Sequence, residues 1–395
     1  MQYGSVTPSE RTEWIAGHAR EAGFDLGGVV TLEDWPELAR FQEWLARGHA
    51  GEMRYLHDPR RQSPADVLAG ARSIIVCALN YNTSLPYSVE SAASEATQST
   101  PRGWISRYAW GDDYHRVVGE KLDVLAAAMH AEFRESFELR SYVDTGPVAE
   151  RIAAARAGLG WLAKNTCLIN DKLGSWLFLG VILTTLDCAP SVPAPEALPA
   201  DLCGNCTLCL DACPTDALVA PYVMDASRCI SYLTIEMRGM IPEELRAGMG
   251  RMVFGCDICQ DVCPWNRDAP ASDLARFIPR VVPSWEAAIS TGADASASLF
   301  APPLEWLASL TEEEFHLIFR GNPVRRTKWR GMVRNACVAL GNSGVQVGDP
   351  AHARITVLLA RLADSSDEII AQHARAAIGR LNGASESYGP SDTLR

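Results

Sequence analysis

Cys203-Gly204-Asn205-Cys206-Thr207-Leu208-Cys209-Leu210-Asp211-Ala212-Cys213-Pro214 is the stretch on which the reading of this chain turns. In a CxxCxxCxxxCP run three thiolates hold one 4Fe–4S cubane and the fourth reaches across to another. The ligands of that second cubane must then follow in a partly matching run. They do, as Cys256-x2-Cys259-x3-Cys263-Pro264, with an isolated Cys229 between. The later run is one Cys short and Cys229 supplies it, so eight thiolates serve two clusters. The expected sets are Cys203, Cys206, Cys209 and Cys263 on one, and Cys213, Cys229, Cys256 and Cys259 on the other. CxxC pairs also build structural zinc sites, but a zinc ribbon has no need of the full run. Cys77, Cys167, Cys188 and Cys337 lie outside the pattern and are expected to be small buried hydrophobes.

Around this segment the chain is ordinary in composition. It has 395 residues, 47% apolar and 21% charged, with 36 Lys+Arg against 48 Asp+Glu and a net charge of -12. That excludes wholesale disorder and collagen-like structure, and allows two or three domains. The longest apolar run, Ser175–Leu186, is too short to cross a bilayer and reads as a buried strand. The opening MQYGSVTPSE has neither the basic nor the apolar region of an export signal, so a cytoplasmic location is expected, where clustered cysteines serve as ligands rather than disulfides.

Upstream, Thr7-Pro8-Ser9-Glu10 predicts a capped helix start, with Trp14, Ile15, Ala19 and Ala22 on its apolar face and Gly23 as its stop. Strands are expected at Phe24–Thr31, Ser73–Leu79 and Leu139–Asp144, and a helix across Asp112–Phe133. Ser88–Gly103 reads as a loop and Ala189–Ala200 as a Pro/Ala-rich linker. The fold class expected is α+β: an N-terminal α/β domain over 1–190, a ferredoxin-like double-cluster domain over 191–270, and a helical domain over 271–395. In the last, Trp329–Leu340, Ile355–Leu362 and Ile369–Leu381 suggest a HEAT-like stack.

Three N-terminal stretches carry chemical groups: Ser106–His115 (SRYAWGDDYH), Tyr142–Arg151 (YVDTGPVAER) and Ala157–Asn165 (AGLGWLAKN). Each has a plain structural explanation when taken alone. Asp144 could cap the next helix, Arg107 and Lys164 could be solvated charges, and His115 could be a helix-surface residue. Taken with the cysteine runs, Arg228–Glu236 (RCISYLTIE), Ile241–Leu245 (IPEEL), Gly255–Asn266 (GCDICQDVCPWN) and the basic Arg325–Asn342 stretch, the sequence resembles the epoxyqueuosine reductase family over nearly its full length.

That resemblance implies a cobalamin-dependent iron–sulfur oxidoreductase, related in its core to reductive dehalogenases. Its reaction is the last step of queuosine synthesis, in which the epoxide of epoxyqueuosine is reduced at the wobble position of a tRNA with a GUN-type anticodon. It implies base-off cobalamin between the N-terminal and ferredoxin-like domains, Asp144 as proton donor, and a flavodoxin or ferredoxin as external electron donor. Cobalamin contacts are expected from Arg61, Arg107, Tyr108, Asp144, Trp161, Lys164, Asn165, Leu168, Ser231 and Asp257. A free Asp is ionised at neutral pH, so Asp144 can donate only if its surroundings raise its pKa. A separate hint of nucleic-acid binding is Arg320, Arg325, Arg326, Lys328, Arg330 and Arg334, within fifteen residues free of Asp and Glu, with Trp329 among them. Arg238, Arg325, Arg326, Lys328, Arg330 and Arg334 are the expected tRNA contacts, and a monomer the expected state. The competing readings are a corrinoid reductase acting on a small molecule and a dicluster electron carrier without catalysis of its own.

Overall fold

The computed structural model describes residues 6–32, 35–90, 100–194, 198–282 and 298–383. Parts of three expected segments, at 91–99, 195–197 and 283–297, lie outside the described residues. Helix α1 (Pro8–Glu21) starts where the sequence requires, with the reciprocal Thr7–Glu10 capping box formed. Strands β1 (Leu26–Thr31) and β2 (Ser73–Asn80) enclose α2 (Pro36–Ala46) in the chain. Next come β3 (Trp104–Ile105), the long α3 (Tyr114–Glu132), β4 (Leu139–Tyr142) and α4 (Glu150–Arg156), then β5 (Trp161–Leu162), β6 (Leu168–Ile169) and β7 (Leu177–Thr184).

The central sheet has the order β1-β2-β7-β4, and every pair in it is antiparallel. The overall α+β class holds, and the α/β label expected for this domain is corrected to α+β, since the sheet has no parallel pair. All eight residues of β2 are buried because both faces of the sheet are covered. Ile75, Cys77 and Leu79 pack toward α1 and α3, while Ile74, Val76 and Ala78 pack toward Ala153 and Ala154 of α4. Gly180 of β7 lets α3 come close, since a Cβ there would stand 2.7 Å from Val118 Cγ1.

The cysteine segment folds as short turns: α5 (Leu208–Asp211), the β8 (Leu218–Ala220) and β9 (Val223–Met224) hairpin, α6 (Ile230–Ile235), α7 (Glu243–Arg246), β10 (Met252–Phe254) and α8 (Ile258–Asp261). Five helices complete the described chain: α9 (Leu304–Ser309), α10 (Glu312–Ile318), α11 (Lys328–Gly341), α12 (Pro350–Ala363) and α13 (Glu368–Leu381). The three regions are interlocked. β3, from the N-terminal part, pairs in parallel with β10 of the cysteine segment. Trp104, Ile105 and Trp110 then share one core with Val253, Phe254 and the apolar faces of α9 to α13.

Replacing Gly180 by Val forces α3 off the sheet. It is expected to cost about 1–3 kcal/mol, as overpacking of a filled core does, measurable by denaturant unfolding.

Candidate active site and cluster-binding segment

The two cysteine runs fold alike, each through a four-residue helix that carries a central Cys (Cys209 in α5, Cys259 in α8) and ends near a Cys-Pro pair. Their thiols fall into two neighbourhoods. Burial, and after it the nearby Cys263, Cys203 and Cys206, push the Cys209 thiol up to about 11. Cys256 is raised by burial and then by Cys229 and, less strongly, Cys213. Cys259 is raised by burial and then by Cys167, Cys256, Cys229 and Cys213. A crowd of buried thiols resists ionisation until cationic iron stands among them.

Donors already face the sulfurs. Ala217 N–H donates to Cys213 Sγ at 3.3 Å. The backbone N–H groups of Ser231 and Tyr232 favour the Cys229 thiolate, against the stronger effect of burial. Burial likewise raises Cys203, opposed by the Lys164 N–H and the Trp161 indole, whose buried Nε1 has no other partner. Among the described residues no three His, Cys, Asp or Glu side chains converge on a single-ion site. Cys167 differs from expectation. It is only part-buried and stands between the two sets, close enough to raise both Cys259 and Cys263.

Several residues expected to touch cobalamin have their side chains engaged elsewhere. Lys164 Nζ donates to the carbonyls of Gly204 and Cys206, at 2.5 and 2.9 Å. Asn165 Nδ2 donates to Cys259 O, so the AGLGWLAKN turn clamps both cysteine runs. Trp161 packs edge-on against Trp265 beside Cys203 and Cys263. Leu168 is a core residue, and Ser231 opens α6 beside Cys229. Arg107 is buried, donates to the carbonyls of Thr83, Leu85 and Pro86, and lies over the rings of Tyr87, Trp110 and Trp176. Asp257 is also buried, accepting from Ser106 Oγ, Trp104 Nε1 and Arg107 N. The side chains of Arg107 and Asp257 thus hold the core together.

Asp144 lies just past the end of β4, and it does not cap α4, whose N-cap Ala149 makes no side-chain bond. Its φ of 58° is left-handed, a strained setting for a non-glycine residue and one often found at functional sites. The side chain is 64% accessible, yet desolvation is the largest single influence on it, as for a group on the floor of an open cleft. Tyr114 OH donates to Asp144 Oδ2 at 2.7 Å, and His115 Nε2 stands 3.6 Å from the same oxygen. Burial pushes the Asp144 pKa up, but His115, Tyr114 and Arg151 outweigh it and hold it at about 2. The rise in pKa that proton donation by Asp144 requires is thus not supplied by the chain's own residues. His115 is the more basic partner, its pKa raised to about 9 by Asp113 and Asp144 against the opposing effect of burial.

Around this pair stand Tyr108, Tyr55 and Glu150, each of which feels the Asp144 charge. Burial and then Asp144 push Glu150 to about 7, and its Oε1 is buried without a partner. Arg61 lies 5.8 Å from the Tyr55 ring centre, and Arg326, paired with Glu236 at 2.5 Å, lies 5.6 Å from the same ring. The basic patch therefore begins at the mouth of the cleft. Arg325 and Lys328 are exposed, Arg330 pairs with Asp367, and Arg238 donates to the carbonyls of Arg326 and Thr327. Trp329 is part-buried and gives its indole N–H to Leu310 O. Arg334 is corrected outright. It is buried, its guanidinium donates to the carbonyls of Leu233, Met237 and Gly239, and burial lowers its pKa to about 10.

The fold and site define a reductase-type iron–sulfur protein, in which a double-cluster segment is joined to a domain that carries a carboxylate–imidazole pair. Residues 202–266 match the 4Fe-4S double cluster binding domain, and 61–145 match the family model described as Epoxyqueuosine reductase QueG, DUF1730. The epoxyqueuosine reductase of Gloeobacter violaceus is 43% identical over 84% of this chain and 96% of its own, and that of Pseudomonas aeruginosa 39% identical over 85% and 86%. A crystal structure of epoxyqueuosine reductase with an epoxyqueuosine-modified tRNA-Tyr stem loop superposes with a TM-score of 0.77, at 30% identity over 95% of this chain and 91% of that one. The Bacillus subtilis enzyme with its catalytic aspartate loop swung out of the active site gives a TM-score of 0.76 at 29% identity, over 95% and 91%. The chain belongs to the epoxyqueuosine reductase family, and it is an oxidoreductase with iron–sulfur clusters. No described helix is long and apolar enough to cross a membrane.

Two predictions follow from this geometry. The His115–Asp144 contact stabilises the fold fully between pH 3.8 and 6.5. It fades as pH rises through about 9, where His115 deprotonates, and as pH falls through about 2, where Asp144 protonates. The stability gap between the wild type and His115→Gln, followed by thermal unfolding against pH, is therefore expected to be widest in that window and absent above pH 9. Arg334→Ala leaves three buried carbonyls unpaired and is expected to cost about 2–4 kcal/mol, with no change in the salt dependence of nucleic-acid binding.

Proposed function

We propose that this protein reduces epoxyqueuosine to queuosine at the wobble position of tRNAs with a GUN-type anticodon. The observation that carries this reading is the 43% identity to an epoxyqueuosine reductase matched over 96% of its length. In this chain it is joined to an Asp144–His115 pair and to two cysteine runs of cluster-binding spacing.

Two 4Fe–4S clusters would be held by Cys203, Cys206, Cys209 and Cys263, and by Cys213, Cys229, Cys256 and Cys259. They would pass single electrons inward from a flavodoxin or ferredoxin. Base-off cobalamin fits the cleft on two observations. Glu150 Oε1 is a buried acceptor without a donor, suited to a corrin side-chain amide. The cleft imidazole, His115, is held between Asp113 and Asp144 rather than offered as an axial ligand. Tyr108, Arg61, Glu150 and main chain near Ser231 and Lys164 would line that group. When bound, it supplies the strong low-potential reductant that opening an epoxide requires.

The chain's own residues do the rest. Asp144, fixed by Tyr114, offers Oδ1 to the departing epoxide oxygen; among the described residues nothing else bonds that atom. Tyr55 and Tyr108, both near enough to feel the Asp144 charge, would stand beside the base. Arg325, Arg326 and Lys328, on the loop leading into α11, would take anticodon phosphates, with Arg238 bracing that loop and Arg330 reached on displacing Asp367. The C-terminal helices would act as a short HEAT-like cradle, and a cytoplasmic monomer of three units, 1–190, 191–270 and 271–395, is the simplest working form.

The deciding experiment is conversion of epoxyqueuosine-bearing tRNA by protein reconstituted anaerobically to about eight irons per chain and loaded with cobalamin. Asp144→Asn is expected to lose about 100-fold or more in turnover while keeping its visible cobalamin spectrum. Reversing the charges of Arg325 and Arg326 is expected to weaken tRNA binding and to lower the slope of log affinity against log salt by about 1–2. Full activity in Asp144→Asn, or an unchanged salt slope, would remove that residue from its role.

A further inference from the structure

We infer that Asp113 and His115 form a proton relay that reloads Asp144 during turnover. The inference rests on the reading above, in which Asp144 protonates the departing epoxide oxygen. Taking the oxygen from an epoxide breaks two C–O bonds, forms one C=C bond and consumes two electrons and two protons, the oxygen leaving as water. The electrons arrive from the external donor through the clusters and the corrinoid. A carboxyl carries one proton at a time, so a second proton must reach Asp144 before each turnover ends.

The first turn of α3 is built to supply it. Asp113 is the N-cap of that helix and accepts from His115 N–H at 3.1 Å, which fixes the carboxylate. The same Asp113 Oδ1 stands 2.7 Å from His115 Nδ1, so the imidazole is held with Nδ1 toward Asp113 and Nε2 toward Asp144. Nε2 lies 3.6 Å from Asp144 Oδ2 and bonds nothing else among the described residues. That gap closes with a small loop shift or one intervening water, as catalytic contacts often tighten only when substrate is bound. Tyr114 holds the acceptor still. It donates to Asp144 Oδ2 at 2.7 Å and lies flat on Phe178, ring centres 4.4 Å apart, with His115 stacked 4.1 Å away. The imidazole is 32% accessible overall but Nε2 itself is buried, so recharging from solvent needs the same small loop shift that closes the gap to Asp144.

The transfer balances simply. Asp144 is ionised at rest, so it is the charge developing on the departing oxygen that draws the His115 Nε2 proton through Asp144 to that oxygen, while Nδ1–H stays on Asp113 and His115 is reprotonated afterwards. The charged and titratable groups facing this chain are Asp113 and Tyr114 on α3, Asp144 on its loop, Glu150 and Arg151 on α4, and Tyr108 before α3. Arg61 and Arg326 stand across the cleft. Two carboxylates bracket His115 directly, and they keep its proton available at neutral pH. His115 acts through Asp144 and is a positioning residue.

The test uses the full chain with both clusters and cobalamin, acting on epoxyqueuosine-bearing tRNA. His115→Gln is expected to lower kcat about tenfold or more with KM for tRNA within about twofold, and added imidazole is expected to restore part of the rate. Asp113→Asn is expected to move the alkaline limb of the kcat profile down by about one pH unit. In protein without cobalamin, the same substitution is expected to lower the His115 midpoint followed by nitrogen NMR. A His115→Gln enzyme with kcat within about twofold of wild type and the same pH profile would overturn the relay. So would an unmoved His115 midpoint in Asp113→Asn. Wild-type protein that leaves the tRNA unconverted would instead count against the function itself, and that result is seen before any variant is compared.

Discussion

One buried carboxylate joins the parts of this protein. Asp257 lies between Cys256 and Cys259 and is 1% exposed. It accepts from Trp104 Nε1 at 3.2 Å, from Arg107 N at 2.7 Å and from Ser106 Oγ. Burial raises its pKa, and these three donors work against that rise. A buried carboxylate with one donor missing would be costly, so the segment 104–107 must lie against the second cysteine run. That contact seats β3 beside β10, brings the N-terminal part onto the C-terminal helices, and leaves the two cysteine runs close enough to exchange a ligand.

Two buried arginines do the matching work with the opposite charge. Arg107 satisfies the carbonyls of the 83–86 loop under three aromatic rings, and Arg334 satisfies those that follow α6. Arg334 also bonds Asn335, whose own amide reaches Thr234 O and Val253 O. The planar five-donor fork of arginine suits such sites, since it can meet several carbonyls at once where lysine offers a point charge. The cluster segment thus has few regular ladders of its own and is held by polar contacts from the domains on either side.

Much of this was legible in the sequence where local physics decides. The Thr7–Glu10 box, the all-buried β2, the α3 span and the two Cys–Pro runs each have a short-range cause. Strand direction did not, because antiparallel and parallel neighbours share the same apolar pattern and differ only in where the chain returns. The fates of Arg107, Lys164 and Arg334 were equally hidden, since a basic residue looks the same in sequence whether it meets solvent, phosphate or buried carbonyls. His115 was passed over as a helix-surface residue. Its partners Asp113 and Asp144 lie two residues away and across a loop, and only the second contact gives it a chemical meaning.

The geometry also separates the paths of the two particles that a reduction needs. Cys167 stands among the thiols and feels the Arg151 charge that also acts on Asp144. His115 and Glu150, the ionisable groups around that acid, lie on α3 and α4. Electron tunnelling tolerates intervening protein, whereas proton transfer demands contact within hydrogen-bond reach. A reductant can therefore act through the fold while the imidazole must touch the acid. A carboxylate held in a left-handed turn beside that imidazole is where the contact is made, which gives its backbone strain a purpose.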